Sequence, residues 1–179
     1  MVYVFLAHGF EEVEALTPVD YLRRSGLEVV CVGVGSKLIQ GAHKIVVEAD
    51  DELSSCEFNL AGNMIILPGG LQGTENLKSN EKVCNILKKA SEVGSLAAIC
   101  AAPTILGSLN LLKGKEACCY PGFEKLLVGA KVVDCAVVVS GNIITSKGAG
   151  TAQQFSFEIV KFLLGHEASN KLKTDVQWI

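Results

Sequence analysis

What this sequence lacks narrows the reading first. It has no basic run, and 16 Lys and Arg against 19 Asp and Glu leave a net charge of −3. Neither nucleic acid nor an anionic membrane surface has electrostatic footing on such a chain. No apolar run approaches the roughly 20 residues of a membrane-spanning helix. The N-terminus enters an apolar strand pattern directly, without the basic region and longer apolar core of a signal peptide. A cytoplasmic protein is expected. The seven cysteines, Cys31, Cys56, Cys84, Cys100, Cys118, Cys119 and Cys135, form no C-x-x-C. None stands at a zinc-like spacing from His8, His43 or His166, so no metal is expected. Neither G-x-x-x-x-G-K-[ST] nor G-x-G-x-x-G occurs, which leaves phosphate loops without support. No internal repeat or low-complexity stretch appears.

What is present is globular. With 49% hydrophobic and 20% charged residues over 179 positions, the chain can build a sizeable core without staples, and one domain over residues 1–179 is expected. Val2 to Ala7, Glu28 to Val34, Met64 to Leu67 and Leu96 to Ile99 read as strands, most of them apolar on both faces. Ile45 to Val47 reads as a further strand, and Gly33, Gly35 and Gly41 bracket the short segment Lys37 to Gln40. Helices are expected from Glu11 to about Gly26, from Glu81 to Glu92, from Thr104 to Leu112 and, last in the chain, from Thr151 to Leu164. Phe155, Ile159, Phe162 and Leu163 mark the apolar side of that last helix, and Lys171 to Ile179 reads as a tail. Pro18 falls inside the first helix and should bend it. Glutamates at the start of that helix, Glu11, Glu12 and Glu14, read first as solvent-facing complements of the helix dipole. Val132-Val133 pairs with Ala136 to Ser140 or flanks it, and Gly141-Asn142 reads as a hairpin turn into Ile143-Ile144-Thr145. Strands alternating with helices argue an α/β fold with a mainly parallel sheet covered on both faces.

The informative stretch is Leu96 to Pro103, a buried strand turning sharply into a helix with Cys100 at the corner. Ala98, Ala101 and Ala102 are small enough for such a corner, and Pro103 suits a first helical turn. A thiol there would face free N–H groups at a helix N-terminus, which favour the thiolate. Five of the other cysteines, Cys31 and Cys84 among them, sit in apolar surroundings and are expected as buried, reduced packing residues. Strand ends of a parallel sheet converge on one rim, so Gly9 to Glu14, Pro68-Gly69-Gly70, Cys100 and Tyr120 can meet there. Cys100 would supply a nucleophile, the Gly70 and Ala101 N–H groups would face a developing oxyanion, and a carboxyl group of the first helix would move protons. No histidine neighbours Cys100, which argues against a Cys-His-Asp triad.

Glu11-Glu12-Val13-Glu14 with Pro18-Val19-Asp20, Leu67-Pro68-Gly69-Gly70, Ala98-Ile99-Cys100-Ala101-Ala102-Pro103 and Thr145-Ser146-Lys147-Gly148-Ala149-Gly150-Thr151 together resemble the ThiJ/PfpI superfamily. The similarity is greatest to the branch of the parkinsonism-associated deglycase and its bacterial relatives, and runs from Val2 to about Gly165. The resemblance implies a flavodoxin-like three-layer sandwich, usually a homodimer, with a nucleophile-elbow cysteine at Cys100. It implies that Glu14 bonds the cysteine sulfur and transfers protons, and that Gly70 and Ala101 are the backbone donors. Gly69, Tyr120, Arg24 and His43 are the implied substrate or anion contacts, Arg24 near the dimer interface. The implied activity is a cofactor-independent glyoxalase or deglycase acting on methylglyoxal, glyoxal or their early adducts through a hemithioacetal. The alternative is an oxidative-stress sensor or redox-regulated chaperone in which the same cysteine becomes a sulfinate. Tyr120 stands where some relatives have histidine, His43 where an arginine often serves the anion pocket from the partner chain, and Ala149 where proline is common. Ala101 replaces the histidine of the protease and chaperone branches, which argues against peptidase activity, and amide transfer lacks a histidine partner.

Overall fold

The computed structural model describes residues 1–179. The first half of the chain forms β1 (Val2–Leu6), α1 (Glu12–Arg24), β2 (Val29–Gly33), β3 (Leu38–Gln40), β4 (Val46–Glu48), β5 (Asp51–Glu52), β6 (Met64–Leu67), α2 (Leu71–Ser79) and α3 (Glu81–Val93). The second half forms β7 (Ser95–Ile99), α4 (Pro103–Ser108), β8 (Glu116–Ala117), β9 (Lys131–Val132), β10 (Val137–Ser140), β11 (Ile143–Ser146), α5 (Ala152–Leu164) and α6 (His166–Asp175).

Seven strands make the central sheet in the order β10-β11-β7-β6-β1-β2-β5. Every pairing is parallel except β10 with β11, which the Gly141-Asn142 turn joins as a hairpin. The apolar runs behave as alternation requires. Val2, Val4 and Leu6 face one layer with Met64, Ile66, Ala97 and Ile99, packed by Val19 and Leu22 of α1 and Phe155, Ile159 and Val160 of α5. Tyr3 and Phe5 face the other with Ile65, Leu67, Leu96 and Ala98, packed by Leu77, Val83, Leu87 and Ile105. This is the three-layer flavodoxin-like sandwich. Its connection order reverses beside β1, so the carboxyl ends of β1, β6 and β7 open one crevice at the switch point.

Several local expectations differ from the structure. The segment after Gly70 is a helix, α2, and residues 166–175 form α6, so α5 is not the last helix and Lys171 belongs to α6 rather than to a tail. Trp178 packs edge-on to Phe157 at 5.3 Å between ring centroids. Phe162 turns outward while Phe155 and Ile159 are buried. The helix expected from Thr104 to Leu112 stops at Ser108. Val132 pairs with Ala117 in a two-stranded ladder, not with Ala136 to Ser140, which pairs with β11. Pro18 lies inside α1, where the sequence placed it, and is buried. Of the six cysteines other than Cys100, five of them expected in the core, Cys31, Cys118 and Cys119 are buried, Cys56 and Cys84 are half-buried, and Cys135 is exposed.

Candidate active site

The corner at Cys100 is strained as its position demands. Its φ is +65°, in the left-handed region that costs a residue with a Cβ roughly 1–2 kcal/mol. Two hydrogen bonds hold it there: the Cys100 N–H donates to the Ser146 carbonyl at 2.9 Å, and the Tyr120 N–H donates to the Cys100 carbonyl at 2.8 Å. The ends of β7 and β11 and the segment after β8 therefore fix the sulfur's direction.

Glu14, on α1, comes from beneath. Its side chain is 1% exposed, and Oε2 accepts the Gly69 N–H at 2.9 Å. The Ala149 N–H and the Cys100 thiol also reach the carboxyl group. This closeness depends on glycine at Gly69, where an added Cβ would lie 2.5 Å from Glu14 Oε2 and 2.6 Å from the Cys100 Cβ. The Gly70 and Ala101 N–H groups point at the Cys100 sulfur. Gly70 itself has φ +83° and an added Cβ there would lie 2.3 Å from the Gly9 carbonyl oxygen, so glycine is required on both counts.

Burial governs the electrostatics of this pair. It pushes the Glu14 carboxyl up to about 7, against the opposing pull of the Cys100 thiol and the Gly69 N–H. Burial first, and the Glu14 carboxylate second, push the Cys100 thiol up to about 12, against the Ala101 and Gly70 donors. The thiolate expected from a helix N-terminus is thus outweighed, and α4, six residues long, supplies little dipole to oppose burial. Two like charges in contact do not both form, so the pair titrates as a unit with one proton retained.

Above the sulfur lies a cavity of about 830 Å³. Cys100, Ala101, Gly70, Tyr120 and Phe123 line one side, and the turn Gly41 to Lys44 between β3 and β4 lines the other. Tyr120 is half-exposed and meets Phe123 edge-on at 6.3 Å. His43 stands in the pocket of its own chain: its Nδ1 is 2.9 Å from Glu12 Oε2 and 3.5 Å from Glu11 Oε1, and its backbone N–H donates to Glu12 Oε1 at 2.7 Å. Gly69 lies beneath the cavity, between Glu14 and Cys100. Arg24 is the one expected contact that the chain does not bring to its own pocket. It lies at the far end of α1, paired with Asp20 at 2.8 Å.

Glu12 is the site residue that sequence reasoning passed over. Read as solvent-facing, it is 5% exposed and bonded to the turn that walls the cavity. The signal was Gly41, where a Cβ would overlap Glu12 Oε1 at 2.3 Å. Glu11, Glu12 and His43 offer ligand atoms within 4.8 Å of one another, but both Glu12 oxygens are already engaged by His43.

A cysteine on a strand–helix elbow above a buried carboxyl group, at the switch point of a flavodoxin-like sheet, sets this chain among the α/β proteins with an elbow cysteine. The chain belongs to the DJ-1/PfpI family, whose sequence model matches residues 1–162. It is 41% identical over 170 residues to protein DJ-1 homolog B of Arabidopsis thaliana, covering 93% of this chain and 39% of that protein. It therefore spans less than half of that relative. It is 35% identical to a Pyrococcus abyssi protein named a deglycase, covering 90% of this chain and 98% of the other. It is also 35% identical to a Caenorhabditis elegans protein named a glutathione-independent glyoxalase, covering 90% and 87%. Among solved structures, oxidized DJ-1 of Toxoplasma gondii superposes with a TM-score of 0.93 at 30% identity, over 99% of this chain and 97% of that one. No helix is long and apolar enough to cross a membrane.

Proposed function

We propose that residues 1–179 form one domain that acts as a glutathione-independent glyoxalase or deglycase on small dicarbonyls or their early adducts. The observation that carries this reading is the contact between Cys100 and a Glu14 carboxyl group whose pKa is about 7. A base of that strength is half ionised at neutral pH, where both accepting and returning a proton are easy.

Glu14 takes the thiol proton as the Cys100 sulfur adds to the aldehyde carbon of methylglyoxal, forming a carbon–sulfur bond. The aldehyde oxygen becomes an alkoxide facing the Gly70 and Ala101 N–H groups and is then protonated by Glu14. Glu14 next removes the hydrogen of that carbon as a proton, giving an enediol as the neighbouring ketone oxygen takes up a proton. It returns the proton to the neighbouring carbon while the first hydroxyl gives up its own, leaving a lactyl thioester. Water breaks the carbon–sulfur bond, giving lactate and the free thiol. The sum is addition of one water, so no redox cofactor enters the balance.

The test is methylglyoxal consumption with lactate formation, without glutathione, by the intact protein beside Cys100→Ala. Turnover confined to the intact protein is the expected result, and equal rates in both would overturn the reading. A second reading, Cys100 as an oxidation sensor, draws support from the oxidized state of the Toxoplasma relative and from the opening of the cavity onto the sulfur. Mild peroxide should then add two oxygens at Cys100, and an unchanged mass there would remove it.

A further inference from the structure

Away from the Cys100 pocket, the short ladder of β8 and β9 sets the segments that carry two more thiols, Cys118 and Cys135, side by side. Cys118 follows β8 directly. Its N–H donates to Thr145 Oγ1 at 3.0 Å, and its sulfur is met by the Thr145 hydroxyl and the Val138 N–H. On the other strand, the Val133 N–H donates to the Ala117 carbonyl at 3.0 Å. The segment from Val133 to Val138 is thus fastened next to Cys118 at both ends, and Cys135 lies within it. Only Asp134 separates Cys135 from Val133, at most about 7 Å of chain. The arch that carries Cys135 past Cys118 is therefore short, and disulfides form across Cα separations of roughly 4.4–6.8 Å.

The two thiols differ as an attacked and a resolving cysteine should. Cys135 is exposed, whereas Cys118 is 1% exposed. Lys147 serves both. Its N–H donates to the Ala136 carbonyl at 3.2 Å, and its ammonium pairs with Asp134, the residue before Cys135. The hydrogen bond to Asp134 holds the Lys147 ammonium above its ordinary pKa. Burial pushes the Cys118 thiol up, so it keeps its proton while its partner is oxidised. Cys119, on the neighbouring position, faces Glu124 instead.

We propose that Cys118 and Cys135 form a second redox site, in which a hydroperoxide oxidises Cys135 and Cys118 resolves it to a disulfide within the chain. In the first step the Cys135 sulfur attacks the peroxide. A sulfur–oxygen bond forms as the oxygen–oxygen bond breaks, sulfur loses two electrons, and an alcohol or water leaves. In the second, the Cys118 sulfur attacks Cys135, the sulfur–sulfur bond forms as the sulfur–oxygen bond breaks, and the departing hydroxide takes the Cys118 proton as water. Two thiols and one hydroperoxide thus give one disulfide, one alcohol and one water.

The site is also wired to the pocket. Cys118 lies two residues before Tyr120, whose N–H holds the Cys100 carbonyl, and Lys147 precedes Gly148 and Ala149, the latter a donor to Glu14.

The experiment treats the full chain with hydrogen peroxide, caps free thiols with N-ethylmaleimide, and digests with trypsin without reduction. Cys118 and Cys119 fall in peptide 116–125, Cys135 in peptide 132–147. The expected product is these two peptides joined, two hydrogens lighter than their sum, separated again by dithiothreitol. Uptake of N-ethylmaleimide at these positions falls by two per chain. Cys119→Ser keeps the link. Cys135→Ser, at an exposed position where folding is safe, loses it and leaves Cys118 as a capped thiol. The proposal is overturned if Cys135 accumulates as sulfinate, links to Cys119 or to a second chain, or stays reduced at the peroxide level that oxidises Cys100.

Discussion

Glu12 and Glu14 sit two residues apart on one helix, both buried, and their ionisation goes opposite ways. For each, burial is the largest influence and raises the pKa. Glu12 reverses it: the His43 side chain and the N–H groups of Glu12, His43 and Ile45 bring its pKa below the ordinary value. Glu14 has the Cys100 thiol and the Gly69 and Ala149 N–H groups, which do not offset its deeper burial, and its pKa stays at about 7. The carboxylate with a full set of donors is a strut for the pocket wall. The one left short of donors is a proton carrier. Donor count, set by which backbone N–H groups each residue meets, separates structure from chemistry along one turn of α1.

The sharpest way to break that contrast is Glu14→Gln. An amide keeps the shape but carries no proton, and general acid–base help of about 10²- to 10⁴-fold is lost. Lactate formation from methylglyoxal should fall by that order, while far-ultraviolet circular dichroism stays unchanged. Near-normal turnover would end the role given to Glu14.

The same substitution should act on stability. A carboxyl group raised from 4.5 to about 7 on folding favours the folded state less as pH climbs through that window. The full cost, about 3 kcal/mol by the constant of 1.36 kcal/mol per pKa unit, is present above pH 7 and absent below pH 4.5. Urea midpoints should therefore show Glu14→Gln gaining on the parent chain from pH 5 to pH 8. A constant difference across that range would contradict the burial argument.

Glu12→Gln sharpens the contrast from the other side. Losing an ionic acceptor for buried N–H groups costs about 1–3 kcal/mol. Because its folded pKa is lowered, that stabilisation is present above pH 4.5 and is lost as pH falls through the folded value. Denaturation at pH 7 and at pH 4 should show the deficit shrinking with acid, and KM should rise more than kcat falls as the Gly41 to Lys44 wall loosens.

His43→Ala should be the mildest change. Glu12, first, and Glu11 raise the imidazole pKa, so the contact it provides is present below the ordinary histidine pKa and fades as pH rises through the raised one. A KM increase visible at pH 6 should vanish by pH 9.

Much of this was legible in the residues. Unbroken apolar runs announced a sheet buried on both faces, and Ala98, Ala101, Ala102 and Pro103 announced the corner at Cys100. The family motif pointed to Glu14, but helical periodicity did not, because acidic residues in a first turn carry the same pattern whether they face water or a neighbouring strand end. α2 and α6 left little trace for a related reason. α2 buries Gly73, Thr74 and Leu77, and α6 buries Ser169 and Leu172, so neither shows a helical apolar stripe. Glu12 was hidden because its donors come from a turn some thirty residues away, whose only mark in the sequence is a glycine at Gly41.

The most direct test of the central claim is a titration of the glutamate side chains by carbon NMR on the reduced protein. One carboxyl resonance with a pKa near 7, absent in Glu14→Gln and retained in Cys100→Ala, is the predicted result. A spectrum in which every glutamate titrates below pH 5 would contradict the account.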